Sequence, residues 1–290
     1  MWVFLNDRFI SEKEAKISVF DQGFLYGDGI FETVRIRGGH PKFFAEHCAR
    51  LRESCRLIHL KLPEPEPDWQ HLTQQLIERN SLSEATVRIT ITRGPSGGGI
   101  ASPIWSAPTI VIFGRPLFEL APHHQNQGVR LVTTEVRRQP RESLPPQIKS
   151  LNYLPNILAK REAIQKHAFD GLMLNTDNHI AEATTSNVFF VRGTQVYTPS
   201  VDCGIVPGIT RSCILRLARA KGILIQEGRY KREEIVQATE CFLTNSGFDV
   251  LPVQAIDTHE LGPYGPHSLT REFQQWYLEH LNMPEPSLPA

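Results

Sequence analysis

Lys149 is the first residue of this sequence to suggest chemistry. It sits in Gln147-Ile-Lys-Ser-Leu-Asn-Tyr-Leu154, among apolar side chains rather than the solvated neighbours usual for a surface lysine. Burial disfavours the charged form of an amine, and the neutral amine is the form that attacks an aldehyde to make a Schiff base. Glu182 stands in Ile180-Ala-Glu-Ala-Thr-Thr-Ser-Asn187, at the inner end of an expected strand. A carboxylate buried beside a heteroaromatic nitrogen keeps that nitrogen protonated and makes the ring an electron sink. Gly208-Ile-Thr-Arg211 opens an expected helix, whose first amides and positive dipole end suit a phosphate, with the Thr210 hydroxyl beside them. Thr244-Asn-Ser246 and Gly247 offer hydroxyls and compact backbone to the same anion, and Arg50, on the face of an early helix, is a candidate cation. Each has an ordinary reading alone: a loop lysine, a solvated glutamate, a plain helix N-cap. Their coincidence in one chain argues for a site.

Two other motifs carry less. Gly94-Pro-Ser-Gly-Gly-Gly99 lacks the Gly-Lys-Ser/Thr ending and following helix of a nucleotide-binding P-loop, so it reads as a mobile loop over a pocket. His123-His124 has no carboxylate or cysteine at ligand spacing and reads as a pair of linker histidines, with no metal.

Periodicity indicates the elements that must position these residues. Met1–Ile10, turning at Asn6-Asp7, reads as a hairpin; its apolar start lacks a charged n-region and a cleavage signal and is expected to be a strand rather than a secretory peptide. Ile30–Ile36 alternates as a strand up to Gly38-Gly39. Phe44–His59 has helical period, and a second helix opens at Asp68 or Trp69 and runs to Arg79. Ala85–Arg93 and Thr109–Phe113 are rich in β-formers. The stretch Arg115–Gly128 lacks periodicity and is the best linker. This gives a small N-terminal domain over 1–115, a linker at 116–127 and a larger domain over 128–290. In the larger part, Val129–Val136 is an expected strand and Leu154–His167 a helix with Pro155 in its first turn. Hairpins are expected over Gly171–Ala183 and across Gly193. Gly208–Lys221, Arg232–Ala238 and Ser268–Leu281 read as helices, with a strand at Cys241–Thr244.

Composition sets the frame. Of 290 residues, 40% are hydrophobic and 21% charged, with 31 basic residues against 31 acidic. That is an ordinary globular profile with no electrostatic reason to expect nucleic acid or an anionic membrane as partner. No apolar run approaches the roughly 18 residues that span a bilayer. The five cysteines, with no two in a C-x-x-C pair, are expected to be reduced and buried in a cytoplasmic protein.

Taken together, the segments from Phe20-Asp-Gln-Gly-Phe-Leu-Tyr-Gly-Asp-Gly-Ile-Phe-Glu-Thr-Val-Arg35 to Leu251-Pro-Val253 resemble the fold-type IV pyridoxal-phosphate enzymes, the class IV aminotransferases. The resemblance implies an α/β (α+β) two-domain fold like that of D-amino-acid aminotransferases, with pyridoxal 5'-phosphate in the cleft, and a homodimer. It implies Lys149 as the Schiff-base lysine and proton shuttle, Glu182 as partner of the pyridine nitrogen, and Arg50, Ile209, Thr210, Ser246 and Gly247 around the phosphate. Tyr153 matches a tyrosine that bonds the cofactor's phenolic oxygen in branched-chain aminotransferases. Ala183 departs from the common glycine after the glutamate. Tyr26, Phe31, Thr33, Arg35 and Arg88 fall at substrate-pocket positions, and Arg88 or Arg35 is a candidate carboxylate holder. Phe31 stands where D-amino-acid enzymes carry tyrosine. Thr33, the glycine-rich loop and Asn245-Ser246 are similar to 4-amino-4-deoxychorismate lyases. The expected activity is ping-pong transfer of an amino group between a small amino acid or amine and a 2-keto acid. The alternative is pyruvate elimination from aminodeoxychorismate to give 4-aminobenzoate. A non-catalytic binding protein of this fold is disfavoured by the presence of Lys149, Glu182 and Arg50 together.

Overall fold

A computed structural model of the chain describes residues 1–97, 99–100, 107–117 and 119–283. Gly98 of the glycine-rich loop, Phe118 of the expected linker and residues 284–290 of the expected second domain lie outside the described residues. The chain divides into two compact units. Among the described residues, the first holds those up to Leu117 with Ile148–Asn152, and the second holds Glu119–Gln147 and those from Tyr153 to Met283.

The first unit runs β1 (Trp2–Leu5), β2 (Arg8–Ser11), α1 (Gln22–Tyr26), β3 (Gly29–Arg37), β4 (His40–Pro41), α2 (Phe44–Leu57), α3 (Trp69–Arg79), β5 (Ala85–Thr92) and β6 (Thr109–Pro116). The strands form one six-stranded antiparallel sheet in the order β2-β1-β6-β5-β3-β4. The turn at Asn6-Asp7 closes as expected, with Asn6 in the left-handed conformation that asparagine tolerates. Alternation along β3 sends Ile30, Val34 and Ile36 to one face, where Val87, Ile89 and Ile91 of β5 join them in the core. Helix α2 covers β3 with Leu51 and Cys55 buried. Asp68 caps α3 by accepting from the His71 N–H at 2.9 Å, which fixes the helix start that the preceding prolines leave open.

The second unit contains α4 (Pro122–Gln127), β7 (Val129–Thr133), α5 (Leu154–Gln165), β8 (Asp170–Leu174), β9 (Ile180–Ala183), β10 (Asn187–Arg192), β11 (Gln195–Pro199), α6 (Ile209–Ala220), β12 (Ile225–Gly228), α7 (Arg232–Ile235), β13 (Glu240–Asn245), β14 (Asp249–Ile256), β15 (His259–Glu260) and α8 (Leu269–Asn282). Its sheet has the order β12-β11-β10-β13-β14-β7-β8-β9, with β15 on β14. Pairing is mixed: β7 is parallel to both β14 and β8, and β11 to β12. One face buries Leu131, Leu172, Val188, Phe190, Leu243 and Leu251. On the other, Phe189 and Phe242 stack at 4.9 Å and Phe273 of α8 packs against Phe242.

Two details differ from the sequence reading. Within the expected linker 116–127, where the two units divide, β6 ends at Pro116 and Pro122 stands in the first turn of a short helix, where its missing N–H costs nothing. Ile148–Asn152, inside the stretch assigned to the larger domain, groups with the first unit. All five cysteines are buried and unbridged, as expected, and burial pushes the Cys48 and Cys55 thiols up to about 12, which keeps them inert at neutral pH. No group of metal-ligating side chains occurs among the described residues, His123 and His124 included.

Candidate active site

Lys149 is placed by backbone pairing. The β4 strand covers only the far end of β3, so the edge at Gly29–Phe31 remains for another strand. The lysine segment takes it: the Phe31 N–H donates to the Lys149 carbonyl at 2.9 Å, the Leu151 N–H donates to the Gly29 carbonyl at 3.0 Å, and Ser150 bridges to Ile30. Gly29 is required for this close approach, because a Cβ there would lie 2.6 Å from the Ile91 carbonyl oxygen and 2.9 Å from Leu151 Cδ1. At Gly27, where φ is +70°, a Cβ would meet Asn152 Oδ1 at 2.9 Å. The Lys149 side chain is half-buried, with Nζ 4.6 Å from the Phe31 ring centroid. The Lys149 backbone N–H lies 3.4 Å from Ser54 Oγ of α2.

Beside this segment is a buried charge cluster. Glu32 shares the apolar face of β3 with Ile30 and Val34, pointing at α2. Arg50 donates from Nε to Oε1 at 2.6 Å and from Nη2 to Oε2 at 2.8 Å. His47 Nδ1 lies 2.7 Å from Oε2. Burial pushes the Glu32 carboxyl up, but the charge and hydrogen bonds of Arg50, then those of His47, outweigh it and hold the group well below the usual carboxylate range. Burial drives His47 below its ordinary 6.5; Glu32 opposes this, while Arg50 and Lys149 add to it. The ion pair is therefore Glu32 with Arg50, and His47 serves as a neutral donor through Nδ1–H.

The substrate candidates separate. Phe31, Thr33 and Arg35 alternate onto the opposite face of β3, with Thr90, Arg88 and Thr86 across on β5. The Arg88 guanidinium carbon lies 3.7 Å from the Phe31 centroid, and Arg88 Nε donates to Thr90 Oγ1 at 3.1 Å. Lys149, Phe31, Thr33 and Arg88 thus come together. Arg35 is buried and engaged with Glu84 Oε2 at 3.2 Å, so of the two candidate carboxylate holders Arg88 has the better placement. Tyr26 ends α1 with its side chain exposed.

In the second unit Glu182, buried on β9, is gripped from several sides. Arg138 Nη2 lies 3.1 Å from Oε1, and Asn187 Nδ2 and the Val206 N–H each donate to Oε2 at 3.1 Å. Arg138 is itself fixed, donating from Nε to the Gly204 carbonyl and from Nη1 to Asn156 Oδ1. Tyr153 is the half-buried residue before α5. Helix α6 starts at Gly208 with no side-chain cap, leaving the amides of its first turn without partners in the helix. Ile209 and Thr210 are buried there, Thr210 Oγ1 being 3.4 Å from the Tyr277 hydroxyl. Asn187 lies against Gly208, where a Cβ would fall 2.1 Å from its Oδ1, and Thr244 stands opposite Asn187 on β13. The hydroxyls of Thr244 and Ser186 are buried with no hydrogen-bond partner among the described residues. An uncapped helix start near orphaned buried hydroxyls fits a phosphate ester. Ser246 is half-buried in the next turn, whereas the Gly247 N–H, expected at the anion, donates to Asn245 Oδ1 at 2.8 Å.

Sequence reasoning missed Glu32, His47 and Arg138. Glu32 carried a signal, since it is the one charged residue in the parity row of Ile30, Val34 and Ile36. Arg138 carried none.

Comparison with known proteins agrees with this chemistry. The profile of the family described as amino-transferase class IV matches residues 29–256. A putative branched-chain-amino-acid aminotransferase of Methanocaldococcus jannaschii is 34% identical over 89% of this chain and 88% of its own. The aminodeoxychorismate lyase of Bacillus subtilis is 33% identical over 90% of this chain and 88% of its own. Among solved structures, the branched-chain amino acid aminotransferase of Escherichia coli superposes with a TM-score of 0.90 at 25% identity, covering 97% of this chain and 94% of that one.

Proposed function

The chain belongs to the class IV aminotransferase family, and from that membership we propose that it binds pyridoxal 5'-phosphate through Lys149 and moves amino groups between a small amino donor and a 2-keto acid by a ping-pong mechanism. The observation that carries the proposal is the seating of Lys149: its backbone is an added strand on β3 and its amine lies over Phe31. When bound, the cofactor supplies an aldehyde for the lysine and an electron-withdrawing ring. Lys149 holds the cofactor and then carries the donor's α-proton, as base and as acid. Glu182, fixed by Arg138, Asn187 and Val206, keeps the pyridine nitrogen protonated. Arg50, the start of α6 at Ile209 and Thr210, and Ser246 would hold the phosphate, and Tyr153 would bond the phenolic oxygen. Arg88, steadied by Phe31 and Thr90, takes a substrate carboxylate, with Thr33 beside it.

The five buried, unbridged cysteines suit a reducing compartment and support the reading of a cytoplasmic enzyme. Among the described residues no helix is long and apolar enough to cross a membrane. Phe20, Phe24, Leu25 and Tyr26 are exposed in one short segment, and such a concentration of apolar surface favours burial in a homodimer.

The test is a half-reaction. The purified protein is mixed with L-amino acids, D-amino acids and R-amines without acceptor, and conversion of the cofactor to its amine form is followed by absorbance. One donor class is expected to convert it, and Lys149→Ala should abolish both turnover and the lysine-bound cofactor absorbance. A variant that keeps both sinks the assignment. The second reading, pyruvate elimination from aminodeoxychorismate, draws on Thr33 beside Arg88 and on the likeness to the Bacillus subtilis lyase. It takes first place if no donor converts the cofactor and pyruvate appears from aminodeoxychorismate.

A further inference from the structure

We propose that Glu32 is a positioning residue: it acts through Arg50, fixing the guanidinium so that it receives the phosphate of the cofactor in one orientation. This rests on the reading of Arg50 as a phosphate ligand. A carboxylate in the row of Ile30, Val34 and Ile36 is out of place on packing grounds, because those neighbours are wholly buried and apolar. An apolar residue of similar volume would serve the core as well or better. What the carboxylate adds is orientation. Two parallel contacts, at 2.6 Å to Oε1 and 2.8 Å to Oε2, fix the plane of the Arg50 guanidinium, as one contact to a flexible side chain would not. His47, one turn earlier on α2, holds Oε2 from its own side at 2.7 Å, so the carboxylate cannot swing away with the arginine. Ser54, one turn further on the same helix, lies against the Lys149 N–H at 3.4 Å. The strand and helix that seat the lysine are thus the ones that aim the arginine. Binding a phosphate to a guanidinium already held in place costs less ordering than binding one to a mobile side chain.

The full-length chain is freed of cofactor and titrated with pyridoxal 5'-phosphate and with pyridoxal, which offers Lys149 the same aldehyde without the phosphate. The quantity read is the ratio of the two dissociation constants. In Glu32→Gln the preference for the phosphate ester should fall about tenfold, with pyridoxal affinity unchanged. Glu32→Asp keeps the charge but draws it back by one methylene; it should lose part of the preference, and it serves if the glutamine variant does not fold. A wild-type ratio in both variants overturns the proposal. So does a tightened preference for the phosphate ester in Glu32→Gln, since that would mark Glu32 as a charge that merely offsets Arg50. Arg50→Ala separates the two levels. If it too keeps the wild-type ratio, the reading of Arg50 as phosphate ligand fails; if it alone loses the preference, only the role of Glu32 does.

Discussion

Glu32 and Glu182 are both buried on strands, one in each unit, and both contact an arginine. Their surroundings nevertheless differ. Glu32 is met by two cation-derived contacts at 2.6 and 2.8 Å and by an imidazole at 2.7 Å. Those distances belong to short, charge-assisted bonds. The contacts of Glu182 include an arginine nitrogen, a carboxamide and a backbone amide, each at 3.1 Å. The first carboxylate is closely matched to one counter-charge, which suits a lock. The second is oriented by longer contacts to partly neutral donors, which suits a group whose charge must act on something else. The two should therefore fail differently when altered: Glu182 in the rate of chemistry, Glu32 in the affinity for the cofactor.

The largest break in that comparison is expected at Glu182. Glu182→Gln retains the shape and a hydrogen-bonding group but not the charge that, in the proposed function, keeps a pyridine nitrogen protonated. Its kcat should fall about 10³-fold, while the chain still binds cofactor through Lys149 and the phosphate contacts. Steady-state kinetics and equilibrium binding on the same preparation would show the split. Loss of cofactor binding in step with kcat would place Glu182 in the same role as Glu32. Arg138 sharpens the point. Arg138→Ala leaves Asn187 and Val206 on one carboxylate oxygen and takes a guanidinium away from the other. The kcat should drop about tenfold and folding stability by about 3 kcal/mol, the scale of a broken buried pair. Arg138→Lys should restore stability better than rate, because lysine returns the charge without the fork that also reaches Gly204 and Asn156.

The same contrast governs what could be read from the sequence. Elements with local punctuation were legible: α3 runs Trp69–Arg79 because Asp68 caps it after a proline-rich stretch, and the hairpins at Asn6-Asp7 and Gly193 announce their turns. Elements set by tertiary pairing were not. Helix α1 is only five residues long, and the side chain of Asp21 starts it. Strand β14 carries Pro252, which argues against a strand interior, yet β13, β7 and β15 all pair with it. At the site, Lys149 stood out by its apolar neighbours, but the β3 edge that holds it lies over a hundred residues away in sequence. Glu32 was hidden because a charged residue within an alternating strand ordinarily faces water; only its parity with Ile30, Val34 and Ile36 betrays burial. Arg138 has no local pattern at all, since its partners Asn156, Glu182 and Gly204 come from a helix, a strand and a loop far apart in sequence.

The smallest expected effect tests the lock in Glu32's cluster by pH. His47 is held below its ordinary 6.5 by burial, and by Arg50 and Lys149 against the pull of Glu32. The unfolded chain therefore binds a proton to this residue before the folded one does as the pH is lowered. Stability from keeping His47 neutral is complete above the unfolded value and is lost as the pH falls through that value toward the folded one. Glu32, whose carboxyl is held far below its ordinary range, loses its own contribution only at pH values lower still. Between pH 7 and about pH 5 the stability slope in this region should therefore come from His47 and not from the carboxylate. Denaturant unfolding across that range should show a slope that His47→Gln flattens, because glutamine can still donate to Glu32 but does not titrate. A slope of the same size in the variant would mean that His47 takes up its proton equally in the folded and unfolded chain; a steeper slope would mean that His47 carries a proton in the folded state, and that Glu32 is paired with two charges rather than one.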